Sequence, residues 1–195
     1  MKLLFASQNK HKIEEIKPLL PSSVELLSLT DMGFEGEIPE TSPTLAGNAL
    51  QKAQFIYDKY KITSFADDTG LEVAALHGEP GVYSARYAGE GKSANDNIEK
   101  LLRELSGIEN RYAEFKTVIA LVGHGQPLFF EGIVKGTITK EKHGTNGFGY
   151  DPVFMPEGYD RTFAQMTLEE KNKLSHRSRA VRKFAEWLRE KEGKI

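Results

Sequence analysis

Two aspartates, Asp67 and Asp68, lie side by side between the short apolar runs Phe65-Ala66 and Leu71–Val73. The pattern predicts a strand that ends at Ala66 and delivers both carboxylates into a Thr69-Gly70 turn, after which a second apolar run begins. Adjacent like charges repel, and in a confined place they are tolerated when something positive joins them, a divalent metal being the obvious candidate. Strand ends in α/β sheets are also where ligands gather. The loop Pro80–Gly89 follows at once and carries Arg86, whose planar guanidinium suits a phosphate clamp or a surface ion pair. Asp, Thr and Gly taken alone also describe an ordinary turn.

The rest of the chain limits the setting. At 195 residues it is long enough for one sizeable core, or for two lobes around a shared sheet. Repeats, low-complexity tracts and linkers are missing, so residues 1–195 read as a single domain. A net charge of −2 argues against an extended nucleic-acid surface, while one nucleotide needs only local positive charge. The chain has no cysteine, which excludes disulfides, thiolate catalysis and Cys-type zinc sites, and it fits a reducing compartment. No run approaches the ~18 apolar residues of a membrane span. The expectation is a cytoplasmic protein.

Strands are expected at Leu3–Ala6, at Val24–Leu29 and, as a long hairpin around Gly123-His124-Gly125, at 113–122 and 127–139. A helix is expected over 10–20, with Ile13, Ile16 and Leu20 at helical spacing. Ser42-Pro43 fits an N-cap and first helical residue, opening a helix with the stripe Leu45, Ala49, Ala53, Ile56 and Tyr60. Ser93 caps a helix through Leu105, and Ser175 caps a last one whose stripe runs Ala180, Val181, Phe184, Trp187 and Leu188. The class is α/β with a mixed sheet.

Four further segments offer chemistry. Ser7-Gln8-Asn9-Lys10-His11-Lys12 lies where a strand gives way to a helix, so backbone N–H groups, a hydroxyl, an amide and cations face an anion there; Ser7 or Asn9 serves equally well as a plain helix cap. Glu40 precedes the helix that bears Asn48 and Lys52 one turn apart, and is a third carboxylate to meet Asp67 and Asp68 around Mg²⁺. Gly144–Pro152 is glycine-dense, and Phe148 or Tyr150 offers a face to a planar base. Lys171, His176 and Arg177 stand at or before the last helix, where the two first-turn cations oppose the helix dipole and want an acid or a ligand acceptor.

In this order the motifs resemble the inosine triphosphate pyrophosphatase family, the house-cleaning purine nucleoside triphosphate diphosphatases. The resemblance rests on S-x-N-x-x-K at 7–12, E-T at 40–41, N-A-x-x-K-A at 48–53 and A-D-D-T-G-L-E-V at 66–73. It continues with P-G-V-Y-S-A-R-Y-A-G at 80–89, F-G-Y-D-P at 148–152, and E-E-K with S-H-R at 169–177. It implies an elongated, two-lobed α/β fold around a long mixed sheet flanked by helices, a homodimer, and Mg²⁺-dependent conversion of ITP, dITP and XTP to monophosphate and pyrophosphate. By motif position, Ser7, Gln8, Asn9, Lys10, His11 and Lys12 hold the phosphates, joined by Lys52, and Arg86 belongs to the motif. Glu40, Asp67 and Asp68 hold Mg²⁺, with Asp68 as the proton acceptor and Thr69 touching substrate. Phe148, Gly149, Tyr150, Asp151, Lys171, His176 and Arg177 enclose base and ribose. Two departures stand out: Thr69 where many bacterial members have Ser, and Gly47 where a glutamate often precedes the helix asparagine.

The implied chemistry is water attack at the α-phosphorus, with Asp68 taking the proton and pyrophosphate leaving in one piece. His176 and Arg177 would donate to a purine 6-keto oxygen, which adenine lacks. The rivals are a Maf-type pyrophosphatase acting on modified pyrimidines, a nucleotide sensor without catalysis and, less well supported, a nuclease.

Overall fold

The computed structural model describes residues 1–91 and 93–192. The chain begins with β1 (Lys2–Phe5), α1 (Lys10–Ile16) and β2 (Glu25–Ser28), then α2 (Leu45–Tyr60), β3 (Ser64–Val73) and the two-residue β4 (Pro80–Gly81). It continues through α3 (Ala94–Glu104), β5 (Tyr112–Val122), β6 (Leu128–Ile138) and β7 (Phe154–Pro156), and ends with α4 (Leu168–Leu174) and α5 (His176–Glu192). The strands form one mixed sheet in the order β2-β1-β3-β5-β6-β7, with β4 beside β3. This is the α/β class with a mixed sheet expected from the sequence. No helix among the described residues is long and apolar enough to cross a membrane.

Contacts divide the chain into two compact units. The first comprises 1–68, 117–132 and 177–195, and the second 69–116 and 133–176.

In the first unit β1 runs parallel to β2, pairing Lys2 with Glu25 through Phe5 with Ser28, and parallel to β3 through Leu4 with Ser64 and Phe5 with Phe65. Side chains on a strand alternate between faces. Leu3, Phe5 and Phe65 therefore share one face, packed against Ile16 of α1 and Val181, Phe184 and Leu188 of α5. Leu4, Ala6 and Ala66 share the other, against Ala53 and Ile56 of α2. The rings of Phe5 and Phe65 stack 4.7 Å apart, and Phe184 lies 5.0 Å from Phe65.

The second unit has its own core, built on Leu71 and Val73 of β3, Ile98 and Leu101 of α3, and Phe115, Phe154 and Phe163. Ser84 ties this core to the strand: its buried hydroxyl accepts from Leu71 N at 2.9 Å and donates to Gly81 O at 2.6 Å.

Three expectations are corrected, and one further helix is added. The Asp67–Gly70 segment is no turn, since β3 runs unbroken for ten residues from Ser64 to Val73. Helix α1 stops at Ile16 and gives way to a 3₁₀ turn over Lys17–Leu19, because Pro18 has no N–H for the next α-helical bond. Helix α2 is capped by Thr44, not Ser42: the Thr44 side chain accepts from Gly47 N at 3.0 Å. Finally, α4 precedes the last helix, opened by a capping box in which Thr167 accepts from Glu170 N and Glu170 accepts from Thr167 N.

The packed rings of Phe5, Phe65 and Phe184 predict that Phe65→Ala lowers stability by about 3–5 kcal/mol, measured by urea unfolding; a loss below about 1 kcal/mol would contradict this packing.

Candidate active site

Because β3 is continuous, Asp67 and Asp68 point to opposite faces of the sheet. Asp67 emerges on the side of α1 and α5, and is buried at 1% exposure. Its Oδ1 accepts from Lys12 Nζ at 2.9 Å and its Oδ2 from Arg177 Nε at 3.1 Å. Arg177, equally buried, gives its Nη1 to Glu15. Burial alone would raise the Asp67 carboxyl, but the cations of Lys12 and Arg177 outweigh it and hold this group well below the usual carboxylate range. Arg177 is pushed the other way: burial works against its charge, yet Glu15 and Asp67 keep it firmly protonated. For Lys12, burial is the largest influence and lowers it, with the nearby cations Lys52 and Arg177 acting in the same sense.

Asp68 emerges on the side of α2, half-buried. Its Oδ2 accepts from Asn48 Nδ2 at 3.2 Å and its Oδ1 from Lys52 Nζ at 3.3 Å. The same Lys52 Nζ donates to Glu40 Oε1 at 2.5 Å. Burial, seconded by the negative charge of Glu40, raises the Asp68 carboxyl despite the two nearby lysines. Lys52 is 6% exposed; burial opposes its charge, and Asp68 and Glu40 restore and strengthen it.

The backbone segment 40–42 is strapped onto α2 by three side chains at i, i+3 and i+4. Asn48 Oδ1 accepts from Ser42 N at 2.8 Å, and Lys52 holds Glu40. Gln51 makes two bonds to one residue: Oε1 accepts from Thr41 N and Nε2 donates to Thr41 Oγ1, both at 2.9 Å. Asn48 thus joins Ser42 to Asp68, and Lys52 joins Glu40 to Asp68.

The three-carboxylate metal site expected from the sequence is not assembled: among the described residues no group of three or more His, Asp or Glu side chains is placed to hold a metal ion. Asp67 is turned to the other face, and its partners are Lys12 and Arg177. Two carboxylates, Glu40 and Asp68, do converge on one positive centre, the Lys52 ammonium. Mg²⁺ commonly takes one or two carboxylates and completes its shell with water and phosphate oxygens, so this donor set fits it.

Of the segment 7–12, Asn9 caps α1, accepting from Lys12 N at 3.3 Å, and Ser7 Oγ accepts from Asn9 N at 3.2 Å. Lys12 reaches Asp67. Gln8, Lys10 and His11 are exposed, with Gln8 Nε2 3.4 Å from Gly36 O and His11 beside Glu14.

In the second unit, Lys171 Nζ donates to Asp151 Oδ2 at 2.6 Å, with both side chains buried. Asp151 Oδ2 also accepts from Phe148 N at 2.9 Å, and Lys171 Nζ lies 5.0 Å from the Phe148 ring centre. Gly147 permits this closure: its φ is +73°, and a Cβ there would stand 2.0 Å from Asp151 Oδ2. Gly149 and half-buried Phe148 belong to the same turn. Tyr150 is not a stacking face but a buried anchor, its hydroxyl donating to Ser84 O at 2.8 Å. His176 is buried and stacks on Phe115 at 4.4 Å. Arg86 sits half-buried over the Tyr83 ring, and Thr69 is half-buried on β3.

A pattern described as Ham1 family matches residues 3–187. The chain belongs to the Ham1 family. A protein of Flavobacterium johnsoniae called dITP/XTP pyrophosphatase is 56% identical over 188 residues, covering 96% of this chain and 98% of its own. One of the same name from Flavobacterium psychrophilum is 54% identical, covering 97% and 100%. The solved structure of the Staphylococcus aureus Ham1 protein superposes with a TM-score of 0.89 at 40% identity, over the whole of both chains.

The glycine at 47, one of the two departures from the resemblance, has a local cause. A Cβ there would lie 1.9 Å from Ser42 Oγ and 2.9 Å from Thr44 Oγ1, so the bend at 42–44 occupies the space of any side chain. Two participants escaped the sequence reading, Glu15 and Gln51. Each left a faint trace: Glu15 is three residues from Lys12 and Gln51 three from Asn48, spacings that share a helix face.

Glu15→Ala would leave the buried Arg177 guanidinium short of a carboxylate. The expected cost is about 3–5 kcal/mol by chemical denaturation, whereas Glu14→Ala, at an exposed position, should cost little.

Proposed function

We propose that this chain hydrolyses non-canonical purine nucleoside triphosphates, ITP, dITP and XTP, to the monophosphate and pyrophosphate. The observation that carries the proposal is the convergence of Glu40 and Asp68 on Lys52, with Asn48 orienting Asp68. The substrate class is supported by the names of the relatives at 54–56% identity.

Asp68 is the general base in this scheme. Burial raises its carboxyl, and it accepts the proton of a water directed at the α-phosphorus. Asn48 fixes the orientation of that carboxylate by donating to its Oδ2. Lys52 and Lys12 supply positive charge for the triphosphate and for the departing pyrophosphate, which attack at the α-phosphorus releases as one piece. Glu40 and Asp68 would hold Mg²⁺, which when bound neutralises phosphate charge and polarises the phosphoryl oxygens. Asp67 plays a supporting part. Held ionised between Lys12 and Arg177, it fixes the Lys12 ammonium.

For base choice, Phe148 offers the stacking face, and His176 donates to a 6-keto oxygen. Arg177 already gives its Nε to Asp67 and its Nη1 to Glu15, so discrimination is assigned first to His176. Lys171 and Asp151 hold the Phe148 turn closed. The homodimer and the cytoplasmic setting implied by the resemblance are part of the same proposal, with equilibrium sedimentation as the test of the dimer.

Asp68→Asn is expected to fold normally by circular dichroism and to lose about 10²–10⁴-fold in pyrophosphate release from dITP with Mg²⁺. Near-normal turnover would remove Asp68 from its role. Wild type should favour dITP over dATP by at least about 10²-fold in kcat/KM, and equal values would refute the 6-keto argument.

A further inference from the structure

We infer that Gln51 is a positioning residue: its amide clips Thr41 so that Glu40 is presented to Lys52 and Asp68. This inference rests on the proposed Mg²⁺-dependent pyrophosphohydrolysis at that site.

Glu40 stands in a segment with no regular structure, between β2 and α2. Its neighbours on that segment hold on to α2 through named bonds, and Gln51 supplies two of them at once. The Gln51 carbonyl takes the Thr41 backbone N–H, and its amide N–H reaches the Thr41 hydroxyl. Two antiparallel bonds to one residue fix both the height and the rotation of the segment relative to the helix. The adjacent bond from Ser42 N to Asn48 Oδ1 prevents the segment from pivoting about Thr41. Glu40 is thereby placed one residue before a double anchor, on the helix that also carries Lys52.

Gly47 is a second, independent sign that this segment is held close to α2. Only a residue without a Cβ leaves room for Ser42, whose Oγ would be 1.9 Å from that atom. A loosely laid strap would not need such a gap in the helix surface. Thr41 itself is exposed and Gln51 half-buried. Neither belongs to the hydrophobic core. The bonds serve the placement of the segment rather than the fold. Groups that orient metal-binding carboxylates without touching the metal typically change metal affinity about 10- to 100-fold when removed.

The test compares wild type with Gln51→Leu, which keeps the size but loses both bonds, and Gln51→Glu, whose carboxylate can accept from both the Thr41 N–H and its hydroxyl. Two readouts are made on each protein: hydrogen exchange of the Thr41 amide without metal or substrate, and the Mg²⁺ concentration for half-maximal hydrolysis of dITP. Gln51→Leu should lose Thr41 amide protection while the amides of α2 keep theirs, and should need about tenfold more Mg²⁺ with kcat at saturating Mg²⁺ changed less than the Mg²⁺ requirement. Gln51→Glu should restore amide protection and most of the Mg²⁺ dependence. Wild-type exchange at Thr41 in Gln51→Leu, or an unchanged Mg²⁺ requirement, would overturn the inference. Should Gln51→Leu fail to fold, the positioning role is likewise overturned, because the bonds would then serve the fold. A wild-type protein that does not hydrolyse dITP would count against the proposed function, and the exchange measurement would still decide whether the clip exists.

Discussion

The alternation of side chains along β3 governs this molecule more than any single bond. Asp67 and Asp68 are consecutive on the strand, and that single step sends their carboxylates to opposite faces of the sheet. Each face brings its own cations: Lys12 of α1 and Arg177 of α5 on one side, Lys52 of α2 on the other. Like charges that look adjacent in sequence therefore need no common metal to tolerate each other. The same step assigns different work to the two groups, since one is enclosed between two cations and the other is half-buried beside a third acid.

Electrostatics follow from that division. Three cations, Lys12, Lys52 and Arg177, stand among four carboxylates, Glu15, Glu40, Asp67 and Asp68, most of them strongly buried. Burying ions costs desolvation energy that pairing largely offsets, so such a network is a poor source of stability and a good source of fixed geometry. The apolar stacks on each face, Phe5 with Phe65 and Phe184 on one side and Ala66 with Ala53 and Ile56 on the other, supply the rigid support that keeps the charges in place.

Much of this was legible in the sequence. The helical stripes over 45–60 and 180–188, the Ser93 cap and the long hairpin strands follow from periodicity and capping chemistry, and the structure has them. The ordered motifs led to the family. The acidic pair misled, because Asp, Thr and Gly describe a turn locally, and only pairing of β3 with its neighbours makes the segment extended. Helix α4 carried a readable signal, Thr167 three residues before Glu170, that the segment's charge obscured. The pairing of Arg177 with Glu15 and Asp67 joins residues more than one hundred positions apart, and no local pattern encodes it. Gln51 is hidden for the same kind of reason: its role depends on where the segment at 41 is laid down.

The division of labour between the two aspartates is tested most directly by following their side-chain carboxyl carbons by NMR through a pH titration of the selectively labelled, metal-free protein. Asp67 should titrate below the ordinary aspartate range, with Asp68 above it, each responding to its own neighbours: Lys12→Met should move Asp67 more than Asp68, and Glu40→Gln the reverse. Two carboxyls that titrate together as one coupled pair, each responding equally to either substitution, would contradict the separation by strand alternation.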